Sequence, residues 1–468
     1  MSRIFRLRKI WLFLGPIAAL LLVLTGIFTS RIPLKAHAAP VVTLYVGQTI
    51  GTNSSCASPG FTSIQTAVDV ANPGDIIYLC GTTPYAEQVI ITKALTLTGD
   101  PGASIVAPGP FPSTSLTRLP PQFTTDNLFV PQAIVIIWGA SANVKISNLI
   151  IAGVMPGNGG CAENEFGVLV IDGGTTTLVG DKINDIRDTN ASLYGCQFGV
   201  AIQIGREYWP TADFSAYKTE NFVGHATIKN TSVSGYQKNG ITVDGPGTTA
   251  NLFTDTVNGA GQTDTTLSPF NGQNGIQISR GANNVQVQGT TVTGNAYTGG
   301  GGASATGILV YGGNCYESAT PLTTGTKILH NTLQNNDIGV ALSNLNGNSN
   351  NQCVLPITPT NIKANSNHIT NIAVTNVSGY NLFNYPGGYQ AGISDEGYGD
   401  QMDYNQICGV GYTPVSPPPY LSMIDVAATN PTLSGNTTCT ITPIANVSTS
   451  MKAGKKGHHI RNVSNPYK

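Results

Sequence analysis

A short unit recurs along the chain: glycine, then aliphatic residues at alternate positions, then a polar exit. It reads Gly167-Val168-Leu169-Val170-Ile171-Asp172, then Ala201-Ile202-Gln203-Ile204-Gly205-Arg206. Next come Gly240-Ile241-Thr242-Val243-Asp244 and Gly275-Ile276-Gln277-Ile278-Ser279-Arg280. Gly307-Ile308-Leu309-Val310-Tyr311, Gly339-Val340-Ala341-Leu342-Ser343 and Gly392-Ile393-Ser394-Asp395 follow. Successive units start 34, 39, 35, 32, 32 and 53 residues apart. Between them lies a second element marked by Asn148, Asn230, Asn331, Asn367 and Asn405. Alternation with a period of two is the signature of a strand, and a fixed coarse spacing means stacked repeats that cannot fold singly. Two strands per unit and a third short one make one coil, and about ten to twelve coils stack at about 4.8 Å. The recurrent asparagine suits a tight turn, where left-handed geometry and a side-chain hydrogen-bond ladder are both useful.

A solenoid needs a cover at its end. Residues 61–71 place Ile64, Ala67, Val68 and Ala71 on one helical face, and Asn72-Pro73-Gly74-Asp75 stops the helix. This predicts a short helix over the first coil. Residues 108–132 and 414–419 read as Pro-rich insertions.

The two chain ends differ from the body. Arg3, Arg6, Arg8 and Lys9 precede an apolar run over residues 10–28, and Ala36-His37-Ala38 is a small-x-small cleavage site. Residues 1–38 are expected to be a signal peptide or an uncleaved membrane anchor, residues 39–445 the solenoid, and 446–468 a basic disordered tail. The protein is expected to be secreted or extracellular, touching membrane only through its N-terminal segment, and monomeric. Between the two ends, twelve basic residues face 24 acidic ones. That balance repels polyanions on average and argues against nucleic acid as a partner. Eight cysteines, Cys56, Cys80, Cys161, Cys196, Cys315, Cys353, Cys408 and Cys439, all follow the cleavage site. An even number outside the cell reads as disulfides, with neighbour pairing the most economical of 105 arrangements. No Cys-x-x-Cys and no adjacent histidine supports a metal site.

The run from Phe61 to Gly99 resembles the opening of right-handed parallel β-helix proteins of the pectin lyase-like superfamily. Residues 236–245 and 273–281 resemble repeats of secreted bacterial β-helix proteins. The resemblance spans most of residues 55–410 and implies an all-β chain: a single right-handed parallel β-helix solenoid with a short N-terminal capping helix. It leaves activity open, since the superfamily holds lyases, hydrolases, esterases, epimerases and non-catalytic binders. Pro84-Tyr85-Ala86-Glu87 matches part of a pectin methylesterase element, but the later carboxylate motifs of that subfamily are missing. Of the polygalacturonase motifs only Gly224-His225 is echoed.

Aligning the strands on inward pairs Leu169/Ile171, Ile202/Ile204, Ile241/Val243, Ile276/Ile278 and Ile308/Val310 leaves one candidate constellation. The exit edge would then alternate Asp172, Arg206, Asp244, Arg280, Tyr311 beside Gln203 and Gln277, with Trp209 in a loop above. Planar polar groups and an aromatic ring suit a sugar, so Gln203, Arg206, Trp209, Asp244, Gln277, Arg280 and Tyr311 are the expected ligand-binding residues. Asp172, Asp244, Arg206 and Arg280 are the weak catalytic candidates, and an enzyme built on them would be a lyase before a hydrolase. The sequence fixes no cofactor, and Ca²⁺ would suit such a lyase. The expected partner is a polysaccharide or cell-envelope glycan, with a passive structural or adhesive rod as the alternative. Arg280→Ala is expected to spare stability. Glu163 and Glu165, Asp395-Glu396, the tail pair His458-His459, and Tyr236 and Tyr297 are lesser candidates.

Overall fold

The computed structural model describes residues 40–109, 111, 132–155, 161, 165–205, 222–300, 303–312, 321–347, 353–375, 389–414 and 420–439. The N-terminal segment 1–38, the tail 446–468, Glu163, Arg206, Trp209, Cys315 and His458-His459 lie outside these residues.

The described strands form three long sheets of ten, ten and eleven strands. The first runs from Thr43–Val46 to Lys363–Asn365, the second from Val89–Ile91 to Tyr420–Val426, the third from Tyr85–Ala86 to Thr437–Cys439. Within these three sheets each strand pairs in parallel with the equivalent strand of the next coil, and Asn346–Gly347 and Cys353–Val354 form a separate antiparallel pair. Chirality makes such crossovers right-handed. The chain is a right-handed parallel β-helix.

Aliphatic rows fill the inside. In the first sheet Ile77, Leu97, Ile146, Leu178, Ile228, Leu252, Val287 and Ile328 stack in register, each buried. The third sheet contributes Ile105, Ile151, Ile183, Val233, Val257, Val292, Leu333, Ile369 and Ile407. Each such side chain stabilises the stack by about 1.5–3 kcal/mol. In the second sheet the inward pair of the strand Glu165–Ile171 is Val168/Val170, which pairs with Ile202/Ile204 and joins the main core. The predicted pair Leu169/Ile171 is one residue out. That strand is apolar at every position from Val168 to Ile171, so alternation alone cannot tell its faces apart.

The turn between the first and third sheets divides the asparagine's two tasks between neighbouring positions. Asn148 and Asn230 take left-handed backbone (φ 58° and 52°), a place filled in later coils by Thr254, Gly289, His330, Ser366 and Tyr404. One residue on, Asn331, Asn367, Asn405 and Asn436 form the ladder. The Asn331 amide and Nδ2 both donate to Asn367 Oδ1 at 3.0 Å, and Asn367 does the same to Asn405 Oδ1. Asp181 and Asp255 take the ladder position in earlier coils.

The predicted helix, α1 (Ile64–Val70), buries Ile64, Ala67 and Val68 against the first coils. Ser63 caps it, and the Glu87 carboxylate accepts the amides of Ile64 and Gln65 at 3.0 and 3.1 Å. Tyr85 OH donates to the carbonyls of Val46 and Cys80. The Tyr85–Glu87 match to an esterase element is thus met here by structural contacts that close the first coil. Disulfides join Cys56–Cys80, Cys161–Cys196 and Cys408–Cys439.

Candidate functional site

Side chains point outward from the second sheet in rows that the register assigns. The middle row runs Ile136, Leu169, Gln203, Thr242, Gln277, Leu309, Ala341, Ser394. The exit row contains Asp244, Ser279, Tyr311 and Ser343. Asp172 and Arg280 sit one residue beyond it, in left-handed turns (φ 57° and 50°). The expected Asp/Arg alternation along one edge is therefore corrected: Asp244 and Tyr311 share a row that Asp172 and Arg280 do not. Asp244 and Tyr311 stand one residue past their inward pairs, whereas Arg280 stands two past Ile278, and Asp172 stands two past Val170 once Val168/Val170 replaces Leu169/Ile171 as the inward pair.

This face is divided along the solenoid. Its first part is an apolar layer of Ile90, Ile136, Trp138, Phe166, Leu169 and Ile171. Asp172 lies beside it, hydrogen-bonded to the Trp138 indole, and burial pushes its carboxyl up. The centre is a polar network. Asn274 Nδ2 donates to Asn239 Oδ1 (3.1 Å), Asn239 Nδ2 to Gln277 Oε1 (3.1 Å), and Gln277 Nε2 to Ser279 Oγ (3.0 Å). Ser279 Oγ donates to Asp244 Oδ1 at 2.6 Å. Arg280 closes the network with a two-pronged pair to Asp244, Nε to Oδ1 at 2.9 Å and Nη2 to Oδ2 at 3.0 Å. Asp244 is 1% exposed and the Arg280 side chain 17%. Gln203 Nε2 donates to the Gly205 carbonyl. The structure thus brings Asp244, Gln277 and Arg280 together in one hydrogen-bonded network.

Two lesser candidates change character. Tyr236 is fully buried with its OH on Asn295 Oδ1 at 2.6 Å, which makes it core. Glu165 opens a strand and is fully buried, not a solvated loop acid.

A third part of the face was missed by sequence reasoning. Tyr389 and Tyr420 stack at 5.4 Å with a 12° interplanar angle, and Tyr389 OH donates to Asp425 Oδ2 at 2.8 Å. Glu396 accepts from Ser343 Oγ at 2.7 Å. Burial first, then the charge of Asp425, holds its carboxyl up at about 8. The strands that carry these groups are separated in sequence by the 376–388 and 415–419 stretches, which conceal their adjacency.

The first sheet turns an opposite surface to solvent. None of its ten strands holds an aspartate or glutamate, and four carry lysine: Lys145, Lys229, Lys327 and Lys363. All four lysines are exposed. Between them the outward positions include Thr175, Thr177, His225, Thr227, Thr249, Asn251, Gln286 and Gln288, together with the apolar Val179, Phe253 and Leu329. Tyr45 and Tyr78 lie with ring centroids 5.6 Å apart, and Lys229 Nζ stands 5.6 Å from the Phe253 ring centroid. The second sheet is the reverse, with no lysine or arginine in its strands and four acids, Glu165, Asp244, Asp395 and Asp425.

No family model matches the sequence, and no curated protein matches it. Among solved structures, the chain is similar to XylC, solved with xylose, at 12% identity and a TM-score of 0.46 over 78% of this chain and 69% of that one. It is similar to an alginate lyase from Paenibacillus sp. at 11% identity and 0.40 over 83% and 99%. It is also similar to PfbA, a surface adhesin of Streptococcus pneumoniae, at 10% and 0.39 over 80% and 85%. The fold itself rests on the three parallel ladders, and the site on this chain's own residues.

Proposed function

We propose that the protein is secreted and binds a polysaccharide laid along the outer face of the first sheet. One observation carries this reading: strands that hold no acidic residue and whose outward side bears four exposed lysines and half-buried hydroxyls and amides over successive coils. Hydroxyl and amide side chains exchange hydrogen bonds with sugar hydroxyls, and aromatic rings at one end offer flat apolar faces. Coils about 4.8 Å apart present these groups at a near-regular spacing, which suits a polymer running along the axis. The lysines favour a polysaccharide with acidic groups over a neutral one. The disulfides and the leader-like N-terminus support an extracellular setting. In this reading the Asp244–Arg280 network is framework behind the binding surface rather than the surface itself.

The test is binding of oxidised residues 39–468 to uronate, sulfated and neutral polysaccharides, at low and high salt. Saturable binding of an acidic glycan that weakens in salt supports the reading. No binding across the panel overturns it.

A second reading, hydrolysis, is favoured by the corner of Tyr389, Tyr420, Asp425 and Glu396. A carboxyl kept protonated at neutral pH can act as a general acid beside a second carboxylate. New reducing ends in the same incubations, lost in Glu396→Gln, support it. Rising ultraviolet absorbance would instead mean β-elimination.

A further inference from the structure

The inward row Val170, Ile204, Val243, Ile278, Val310 and Leu342 continues, one coil on, at Asp395. The next strand returns to an aliphatic residue, Val426. A carboxyl therefore stands in the core of the solenoid where the neighbouring coils place apolar side chains, and it is fully buried. Its Oδ1 accepts the Gly397 amide at 2.9 Å. Asp400, also fully buried, reaches the same place from the loop that follows the strand. Its Oδ1 accepts Thr360 Oγ1 and the Ile362 amide, both at 2.7 Å. The Oδ2 atoms of both residues are buried without a hydrogen-bond partner, and a Cβ added at Gly397, whose amide Asp395 accepts, would collide with Asp400 Oδ2, so the two carboxyl groups lie together.

Among the described residues the surroundings supply no counter-charge. Glu396 turns to the outer face and bonds Ser343, with Asp425 of the next strand near it. Asp403, in the same loop as Asp400, accepts the Ser434 amide at 2.7 Å. The facing strand Ile338–Ser343 carries no charged residue. Lys363, on the first sheet, is exposed on its outer side. Two ionised carboxylates are acceptors only and repel each other in a dry interior, whereas one proton turns one of them into a donor to the other.

We propose that Asp395 and Asp400 hold a single proton between them in the core, and that its loss in alkaline medium opens the C-terminal coils while the preceding coils stay closed. Confinement follows from the architecture, because each coil is stabilised only by its neighbours, and the second sheet has one strand beyond Tyr389–Asp395. The direction of the effect follows from linkage. Burial and the charge of Asp400 hold the Asp395 carboxyl well above its ordinary range. The folded state therefore keeps a proton that the unfolded chain releases near the usual carboxylate pKa, and stability falls as pH rises from there through the folded value. A divalent cation is the other way to hold two carboxylates together, but it requires six or more oxygens.

The experiment is hydrogen exchange of the oxidised full chain at several pH values from 6 to 10, corrected for intrinsic exchange and run with Ca²⁺ or with chelator. Protection in peptides covering 389–395 and 420–426 should fall by up to about tenfold per pH unit, the slope of one proton, while peptides covering 239–311 hold theirs. Asp395→Asn and Asp400→Asn each replace the shared proton with an amide donor and should remove that slope. If neither variant folds, the wild-type infrared spectrum in D₂O should show a protonated-carboxyl band at neutral pH that vanishes as the C-terminal peptides lose protection. A C-terminal protection that is flat with pH, an unchanged slope in the variants, or no such band would overturn the proposal. So would protection at neutral pH that disappears with chelator, which would assign the pair to a cation.

Discussion

A glycine opens most coils of the second sheet because a Cβ there has nowhere to go. At Gly275 an added Cβ would lie 2.4 Å from Val292 Cγ1 and 2.7 Å from the Gly307 carbonyl, and Gly240, Gly307 and Gly339 meet the next coil's backbone in the same way. Gly275→Ala should cost about 1–3 kcal/mol through forced displacement of the adjoining coil. Urea unfolding measures it, and an unchanged midpoint would show that the coil yields freely. Arg280 is a second residue whose role is set by its partner. Removing it takes a two-pronged guanidinium pair away from a buried carboxylate, so Arg280→Ala should destabilise by about 3–5 kcal/mol, not spare stability as the sequence alone suggested. Glycan binding by the folded fraction should persist if the first sheet is the binding face, and its loss would return the site to the second.

The asparagine ladder shows what an element adds to a residue. From Asn331 onward each ladder Nδ2 also donates to a backbone carbonyl of the coil before: Val287, Ile328, Ala364 and Met402 in turn. Asp255 holds the same place, yet its Oδ2 is buried without a partner. Burial drives its carboxyl up to about 7, against the lowering pull of the Thr231 and Phe253 amides. The folded chain then binds a proton that the unfolded chain gives up near pH 4, so this residue costs stability increasingly as pH rises toward and past 7. Asp255→Asn should restore the missing donor. Its melting temperature should exceed that of the parent at pH 8, and the gain should shrink toward pH 4. An equal gain at both pH values would mean that ionisation of Asp255 has no part in it. The ladder was legible in the sequence as a recurrent Asn, but Asn148 and Asn230 serve the left-handed turn while Asn331, Asn367 and Asn405 bond between coils. Only the backbone conformation separates the two.

At the scale of the whole molecule, charge is sorted by face. The chain is acidic on balance, yet the first sheet bears lysines and no acid while the second bears acids and no lysine or arginine in its strands. A polyanion repelled by the average charge can still be drawn to one side. Lys229→Glu and Lys327→Glu should each weaken binding of an acidic polysaccharide by about two- to fivefold in low salt, the worth of one exposed ion pair. The difference should narrow at 1 M salt, where the screening length is about 3 Å. Calorimetric titration measures both. Equal affinity of all three proteins would remove the first sheet from consideration.

The sequence determined the solenoid by itself. A period of two inside each strand, a coarse period near 35 between units and an apolar face on residues 64–71 leave stacked coils with a helical cover as the economical fold. It also marked Asp244 and Arg280 as notable, because charged residues next to aliphatic runs are conspicuous. Which residues meet was decided only in three dimensions. A shift of one residue exchanges the faces of a strand, so Asp172 and Arg280 lie outside the row that holds Asp244 and Tyr311. The stretch between successive coils puts Glu396 beside Asp425, while the short loop after the strand folds Asp400 back on Asp395. Burial then decided their chemistry, since a carboxyl closed off from water keeps the proton that an exposed one gives up.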